Sequence, residues 1–222
     1  AARALRACRK VFGENVPMVT VFDTAFHKTM PPKAYMYGLR YEDYEQYSIR
    51  KYGFHGTSHR FVSADFAKRI GKPLEELKLV TCHLGNGSSI TAVDCGKSVD
   101  TTMGFTPLDG VIMGTRCGAI DPSAVLFLMQ QTGMDAAEMS EYLNKKCGFL
   151  GISGRSSDNR DIEAGSAEGD ERCQLVTEML SYQIKKQIGA YAAAMNGLDA
   201  VVFTGGIGEN AISIRGKACE GL

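Results

Sequence analysis

The sequence predicts an α/β protein, and three observations carry that expectation. Short apolar runs alternate with segments of helical spacing along the chain. Two of those runs pass directly into glycine-rich turns. Glycine supplies 25 of 222 residues, about 11% against an average near 7%, and it gathers where backbone turns sharply or approaches a ligand. At about 150 residues per domain, the length fits one large domain or one and a half. Hydrophobic residues make up 44% and charged residues 23%. That is the balance of a globular protein with a sizeable core, and it excludes disorder as the dominant state. The formal net charge is zero, which excludes a nucleic-acid binder driven by overall basicity. No stretch nears the roughly 18 apolar residues of a membrane helix. Residues 1–10 are basic but precede no apolar run of the secretory type. The seven cysteines include no CxxC pair and predict reduced thiols in a cytoplasmic protein, not a disulfide framework or a zinc site.

The elements follow in order. Residues 16–22 (VPMVTVF) read as a buried strand. Asp23 follows, and then Pro31-Pro32, which forbid helix. Residues 41–52 carry aromatics and charges at helical spacing. Residues 58–70 form a helix closed by Gly71. Residues 78–82 (KLVTC) form a strand running into 83–89 (HLGNGSS). Residues 89–94 and 97–102 alternate around Cys95-Gly96, the pattern of a hairpin. Asp121 caps a helix with Pro122 in its first turn, ending at Gly133. A helix over 136–146 is closed by Gly148. The longest helix spans 168–196, with apolar positions at Leu175, Met179, Tyr182, Ile188 and Tyr191. Residues 200–204 (AVVFT) are a second buried strand that enters 205–210 (GGIGEN). No internal repeat or low-complexity segment occurs. The chain opens on a helical pattern without a cap and stops as another begins, as expected of a piece of a longer protein.

The chemistry starts at the two strand-to-glycine junctions. A glycine turn after a buried strand exposes backbone N–H groups that bind phosphate, and a following helix adds its dipole. At 83–89 the phosphate partners are the amides of Gly85 and Gly87, the Asn86 side chain and the His83 imidazole. Residues 205–210 suit the other end of a nucleotide. A dinucleotide fold is disfavoured, because only 11 residues follow Ala211 where an acidic residue about 20 positions on is required. No Walker A sequence is present. Asp23 closes an apolar run, a usual place for a magnesium ligand or base, although it could simply cap a turn. Arg116, between glycines, suits an anion because its planar fork bonds phosphate or carboxylate bidentately. The alternative is a surface ion pair of little energetic weight. His55 and His59 stand at i, i+4, but no third zinc ligand of matching context accompanies them. His59 suits packing or capping better than catalysis.

Six motifs in order resemble the acetate kinase family: 21–27 (VFDTAFH), 51–59 (KYGFHGTSH), 81–89 (TCHLGNGSS), 103–110 (MGFTPLDG), 113–116 (MGTR) and 202–210 (VFTGGIGEN). The resemblance covers essentially everything from residue 16 onward. It implies the RNase H-like fold of actin, Hsp70 and sugar kinases (ASKHA), with two related domains around a cleft. Residues 1–25 would be the tail of the first domain, and 26–222 most of the second, nucleotide-binding one. The implied activity is phosphoryl transfer between ATP and acetate, with magnesium; propionate or butyrate as acceptor, or a nucleotide-binding fragment inactive on its own, are the alternatives. By the same resemblance Asp23, His55 and Arg116 are catalytic, and Asp23 holds magnesium together with a glutamate outside this chain. His83, Leu84, Gly85, Asn86 and Gly87 bind the phosphates. Asp158, Asn159 and Arg160 lie beside the nucleoside, and Gly206, Ile207, Gly208, Glu209 and Asn210 close over it. Phe54 and Pro107 wall the acyl pocket. The family implies a homodimer in the cytoplasm, with helix 168–196 a candidate contributor to its interface, and neither nucleic acid nor membrane as partner.

Overall fold

A computed structural model describes residues 2–222. Four strands form one mixed sheet in the order β3-β2-β1-β4. Strands β1 (Lys78–Leu84), β2 (Ser88–Asp94) and β3 (Lys97–Thr101) make an antiparallel meander, and β4 (Ala200–Thr204) pairs parallel to β1. The hairpin between β2 and β3 turns at Cys95 and Gly96, both at positive φ (49° and 77°), as a type I′ turn requires. The helices are α1 (Ala2–Phe12), α2 (Pro32–Tyr35), α3 (Tyr41–Tyr47), α4 (Gly56–Ile70), α5 (Pro122–Thr132) and α6 (Ala136–Lys145). They continue with α7 (Gly148–Ser153), α8 (Asn159–Ala167), α9 (Glu171–Met195), α10 (Gly205–Asn210) and α11 (Ile212–Cys219).

The period-two alternation of β1 gives the sheet two unlike faces. Val80, Cys82 and Leu84 join Ile90 and Ala92 of β2 on one side, fully buried against Leu180, Ile184 and Ile188 of α9 and against Ile214 of α11. Leu79, Thr81 and His83 point to the other side, where α4 lies. That second interface has a small apolar cluster of Ala67, Leu77, Leu79 and Val93. The rest of it is polar: His59, Ser63, Thr81, Ser89 and Thr91 are all inaccessible to solvent.

Local chemistry sets the helix ends. Gly71 and Gly133 adopt left-handed conformations after α4 and α5. Asp121 accepts the Ser123 N–H before Pro122. Asp135 and Glu138 form a capping box on α6. Asp170 accepts from the N–H groups of Arg172 and Cys173 and so starts α9 afresh, which divides the expected 168–196 helix from α8.

Five sequence expectations are corrected. Pro31 and Pro32 do not forbid helix: Pro31 is the N-cap and Pro32 the first residue of the short helix α2, where a proline gives up no intrahelical hydrogen bond. Residues 16–22 form no strand, and Val19, Val21 and Phe22 are 86%, 74% and 64% exposed. An apolar run becomes a strand only when a neighbouring strand takes up its backbone groups, and none among the described residues does so; the bond from the Ala25 N–H to the Phe22 carbonyl at 3.0 Å belongs to the following turn. Strand β4 lies at the sheet edge and is half-buried throughout, not fully buried. Leu175 and Tyr182 of α9 face solvent at 46% and 63% exposure; the buried stripe runs through Cys173, Val176, Leu180, Ile184 and Ile188. Gly148 opens α7 and does not close the preceding helix, which ends at Lys145 with Lys146 as its cap. All seven cysteines are free thiols, and among the described residues no helix is long and apolar enough to cross a membrane.

Ile184→Ala should lower unfolding stability by about 2–5 kcal/mol, since it opens a cavity in the core beneath the sheet. Leu175→Ala should change it by less than about 0.5 kcal/mol. Urea unfolding of both variants, followed by circular dichroism, checks the assignment of the α9 face.

Candidate active site

The site forms at the end of the sheet where β1 turns into β2 and α4 begins. Its first fixed point is Asp23. The carboxylate Oδ2 accepts the His55 N–H at 2.7 Å, and the Asp23 carbonyl accepts the Gly56 N–H at 2.8 Å. Asp23 therefore caps α4 from a distant part of the sequence, with its negative charge at the helix N-terminus. It is exposed and lies on a turn, not at a strand end. The turn-capping alternative therefore describes one of its carboxylate oxygens, and Oδ1 has no hydrogen-bond partner among the described residues.

His55 sits at the cap with left-handed backbone (φ 55°, ψ 25°), which costs of order 1–3 kcal/mol for a non-glycine residue. Its ring stacks on His83 with centroids 4.2 Å apart, and Nδ1 lies 2.9 Å from Ser89 Oγ. Burial, followed by the neighbouring His83 ring, pushes the imidazole down from 6.5 to about 4, so His55 is neutral at pH 7. His83 is lowered by burial too and bonds Ser58 Oγ through Nδ1 at 2.8 Å. His59 is fully buried, with Nδ1 2.7 Å from Thr81 Oγ1 and Nε2 2.7 Å from Ser89 Oγ. Both nitrogens are thus occupied, and His59 is no metal ligand. His27, also fully buried, donates from Nε2 to the Phe54 carbonyl at 2.8 Å and accepts from Ser98 Oγ at 2.8 Å through Nδ1. All four histidines of the chain gather on this side of the sheet.

Arg116 comes from the loop before α5. Its Nη1 lies 3.3 Å from the Pro107 carbonyl and 3.6 Å from Met113 Sδ. It has no carboxylate partner among the described residues, so the surface-ion-pair alternative fails. Gly87 is where the two catalytic candidates meet. A Cβ there would lie 3.2 Å from Arg116 Nη1 and 3.4 Å from His55 Nε2. Gly114 holds the arginine loop against the phosphate turn, because a Cβ there would run into Asn86 Oδ1 and lie 2.8 Å from the Ser157 carbonyl. Phe54 and Pro107 are both half-buried. Phe54 adjoins His55 in sequence, and Pro107 is tied to Arg116 by the hydrogen bond above.

Beside this convergence lies a cleft of about 560 Å³, lined by Gly85, Asn86, Asp158, Asn159, Arg160, Gly206, Ile207 and Asn210. Three separate sequence segments predicted to bind one nucleotide thus share one cavity. Several predicted members have other partners or lie elsewhere. Leu84 is fully buried in the core beneath the sheet. The Gly85 N–H points back into its own turn, to the Gly87 carbonyl at 3.1 Å and Ser88 Oγ at 3.3 Å, so it is not a free phosphate donor as the sequence suggested. Residues 205–210 form the short helix α10 and not an open loop, with Gly208 buried and the Glu209 carbonyl accepting from Arg215 at 2.6 Å. Asp158 caps α8 and binds the Arg160 guanidinium. Its carboxyl is held down to about 2 by that arginine. Ser157, Glu163 and Ala211 also line the cleft and were missed. Glu163 stands four residues after Asn159, one helical turn along α8, a spacing that could have found it.

Comparisons with known proteins agree with this arrangement. The acetokinase family profile matches residues 2–222. The chain is 56% identical over 218 residues to an acetate kinase of Halothermothrix orenii, covering 98% of this chain and 54% of that protein. The crystal structure of Porphyromonas gingivalis acetate kinase superposes with a TM-score of 0.96 at 47% identity, over 100% of this chain and 55% of that one. A propionate kinase structure from Francisella tularensis gives 0.93 at 46% identity, over 97% and 55%. The chain therefore spans about half the length of the relatives it matches, and its α/β fold is that of these ASKHA kinases.

The four histidines make stability pH-dependent. Each is lowered from 6.5 in the folded chain, with burial the largest cause. Between about 6.5 and 4 the unfolded chain binds more protons than the folded one, so stability falls as pH falls through that window. The urea midpoint should drop between pH 7.5 and pH 5, and the His55 ring proton should show no titration above pH 5.5 by NMR.

Proposed function

Because this chain belongs to the acetokinase family, we propose that it carries the nucleotide-side half of a carboxylate kinase that moves the terminal phosphoryl group of ATP reversibly onto acetate, giving acetyl phosphate and ADP. The observation that supports this most directly is the convergence of His55 and Arg116 over Gly87, beside a cleft of nucleotide size. Phosphoryl transfer needs positioning and charge stabilisation more than covalent help. An acetate oxygen attacks the γ-phosphorus while the bond to the bridging oxygen of ADP breaks, and charge spreads over the three equatorial oxygens. Arg116 and the His55 ring are the donors this chain offers to those oxygens. A carboxylate is already ionised at neutral pH, so Asp23 need not abstract a proton; its role is to position.

The donor set suits magnesium. Among the described residues no group of three or more His, Cys, Asp or Glu could cage a metal. Magnesium characteristically takes one or two carboxylates plus substrate phosphates, and Asp23 offers the oxygen that its helix cap leaves open. Magnesium held at that oxygen would supply positive charge against the phosphates. The likeness to a propionate kinase supports a longer acid as the second reading, with Phe54 and Pro107 as walls of the acyl pocket. We also read residues 1–25 as the tail of a first domain, since α1 has no buried residue and residues 16–22 face solvent. A homodimer would find apolar surface at Leu126 and Phe127 of α5 and at Tyr182 of α9, and the free thiols fit a cytoplasmic setting.

The test supplies acetyl phosphate and MgADP, with propionyl phosphate in parallel, and reads ATP by luciferase. Arg116→Ala should lower turnover by about 10²–10³-fold. Asp23→Asn should also lose turnover yet keep its helix cap, holding stability to within about 0.5 kcal/mol, where Asp23→Ala loses about 1 kcal/mol. MgADP binding without turnover would leave a folded half-site and assign catalysis to the longer protein. Neither binding nor turnover would overturn the reading.

A further inference from the structure

We propose that Ser89 and His59 are positioning residues that fix the tautomer of His55, through a chain of hydrogen bonds running from Thr81 in the sheet to the ring nitrogen that faces the substrate. The inference rests on the reading that His55 serves the transferring phosphoryl group. The chain has three short links: Thr81 Oγ1 to His59 Nδ1 at 2.7 Å, His59 Nε2 to Ser89 Oγ at 2.7 Å, and Ser89 Oγ to His55 Nδ1 at 2.9 Å. Thr81, His59 and Ser89 are each inaccessible to solvent, so water does not compete for these groups. His55 Nε2 is the one ring nitrogen of the relay with no protein partner among the described residues, and it faces Arg116 across Gly87.

A neutral imidazole has one N–H, and the bond made by one nitrogen decides which nitrogen carries it. A third arrangement, in which Ser89 accepts from both rings, leaves the buried Ser89 hydroxyl with no acceptor among the described residues, so the relay runs in one of two directions. In one, Thr81 donates to His59 Nδ1, His59 Nε2–H donates to Ser89, and the Ser89 hydroxyl donates to His55 Nδ1. The His55 proton is then on Nε2, aimed at the site. In the other, every donor reverses, and the Thr81 hydroxyl must find another acceptor. The one it has is the Thr91 carbonyl at 3.5 Å, well beyond the 2.5–3.0 Å usual for an O–H···O bond. The first direction satisfies every hydroxyl at short distance, and it assigns the proton to Nε2. A phosphoryl oxygen there meets an N–H donor beside the Arg116 cation. In the reverse direction it would meet a lone pair.

Among the described residues no charged side chain bonds the relay. Around it lie the His83 ring stacked on His55, the edge of the His27 ring 5.9 Å from His59, and the Arg116 cation, which faces His55 Nε2 across Gly87 and by itself favours a lone pair there. Asp23 bonds the His55 backbone N–H and not its ring. The bias toward a proton on Nε2 therefore has to come from the neutral donors and acceptors of the relay. Partners that orient a working histidine in this way are typically worth about 10–100-fold in activity when removed.

The experiment reads the tautomer directly, by long-range proton–nitrogen NMR on the full chain labelled with ¹⁵N-histidine, with His55→Gln to assign its signals. The unmodified chain should show a protonated Nε2 and a bare Nδ1 on His55 at pH 7.5. Ser89→Ala should bring in the other tautomer, and Ser89→Thr, which keeps the hydroxyl, should restore the first. In the luciferase assay, Ser89→Ala should lower kcat by about 10–100-fold with the KM for MgADP unchanged. A proton on Nδ1 in the unmodified chain would overturn the proposal, as would a tautomer that Ser89→Ala leaves untouched. Turnover kept after the tautomer has changed would overturn it equally. Should Ser89→Ala fail to fold, the unmodified tautomer and Ser89→Cys, whose thiol is a weaker donor, decide the question. Absence of all turnover with MgADP binding kept would assign catalysis to the longer protein, absence of both would overturn the kinase reading, and in either case the tautomer read by NMR would decide the proposal by itself.

Discussion

Helix α4 meets the sheet through hydrogen bonds where α9 meets it through packing, and the site depends on that difference. The same strands serve both faces. Val80, Cys82 and Leu84 fill the apolar side, and Thr81 and His83 the polar one. A buried hydrogen bond contributes only about 1 kcal/mol net, but a buried group left unpaired costs about 1–3 kcal/mol. The polar layer therefore tolerates few arrangements of α4. His59 must lie between Thr81 and Ser89, and that sets the rotation of the helix. The rotation in turn places His55 at the helix start, within reach of Asp23 on one side and Ser89 on the other.

Space is the second constraint. Gly87 and Gly114 leave room that any side chain would take, and the arginine loop settles into it against the phosphate turn. His55 has a backbone conformation that L-residues seldom adopt, held by the Asp23 bond to its own N–H. Two polar groups without an anionic protein partner are thereby brought face to face by elements far apart in sequence. Arg116 thus keeps a positive charge with no carboxylate partner among the described residues, beside a neutral imidazole, an arrangement that suits an anion.

Much of this was legible in the sequence where the signals are local. The cap at Asp121, the glycine stops at Gly71 and Gly133 and the Cys95-Gly96 hairpin each depend on a few neighbouring residues. What was not legible depends on distant ones. Residues 16–22 have strand composition but no strand beside them. Leu175 and Tyr182 fit a helical stripe, but the stripe that packs is rotated away from them, because Asp170 restarts the helix and the sheet lies on the other side. The candidate site divided in the same way. Its glycine turns and its arginine announced themselves, whereas the Gly85 amide folded back on its own turn and Glu163 joined the cleft from α8, a stretch to which the sequence reading assigned no element. His59 reads as a packing or capping residue, but its hydrogen-bond partners lie 22 and 30 residues away, and no local pattern reveals them.

The unpaired run at 16–22 has a colloidal consequence. It contains three valines, a threonine and a phenylalanine, with no charge between Asn15 and Phe22. Such a segment is rich in β-formers and presents open backbone groups. Its single proline, Pro17, stands near the start, so Val19 to Phe22 are free to add to a neighbour's edge. The molecule is electrically neutral overall and has little long-range repulsion to keep copies apart. At high protein concentration the limit on keeping this chain dispersed would thus be set by these few exposed residues and not by the stability of its core.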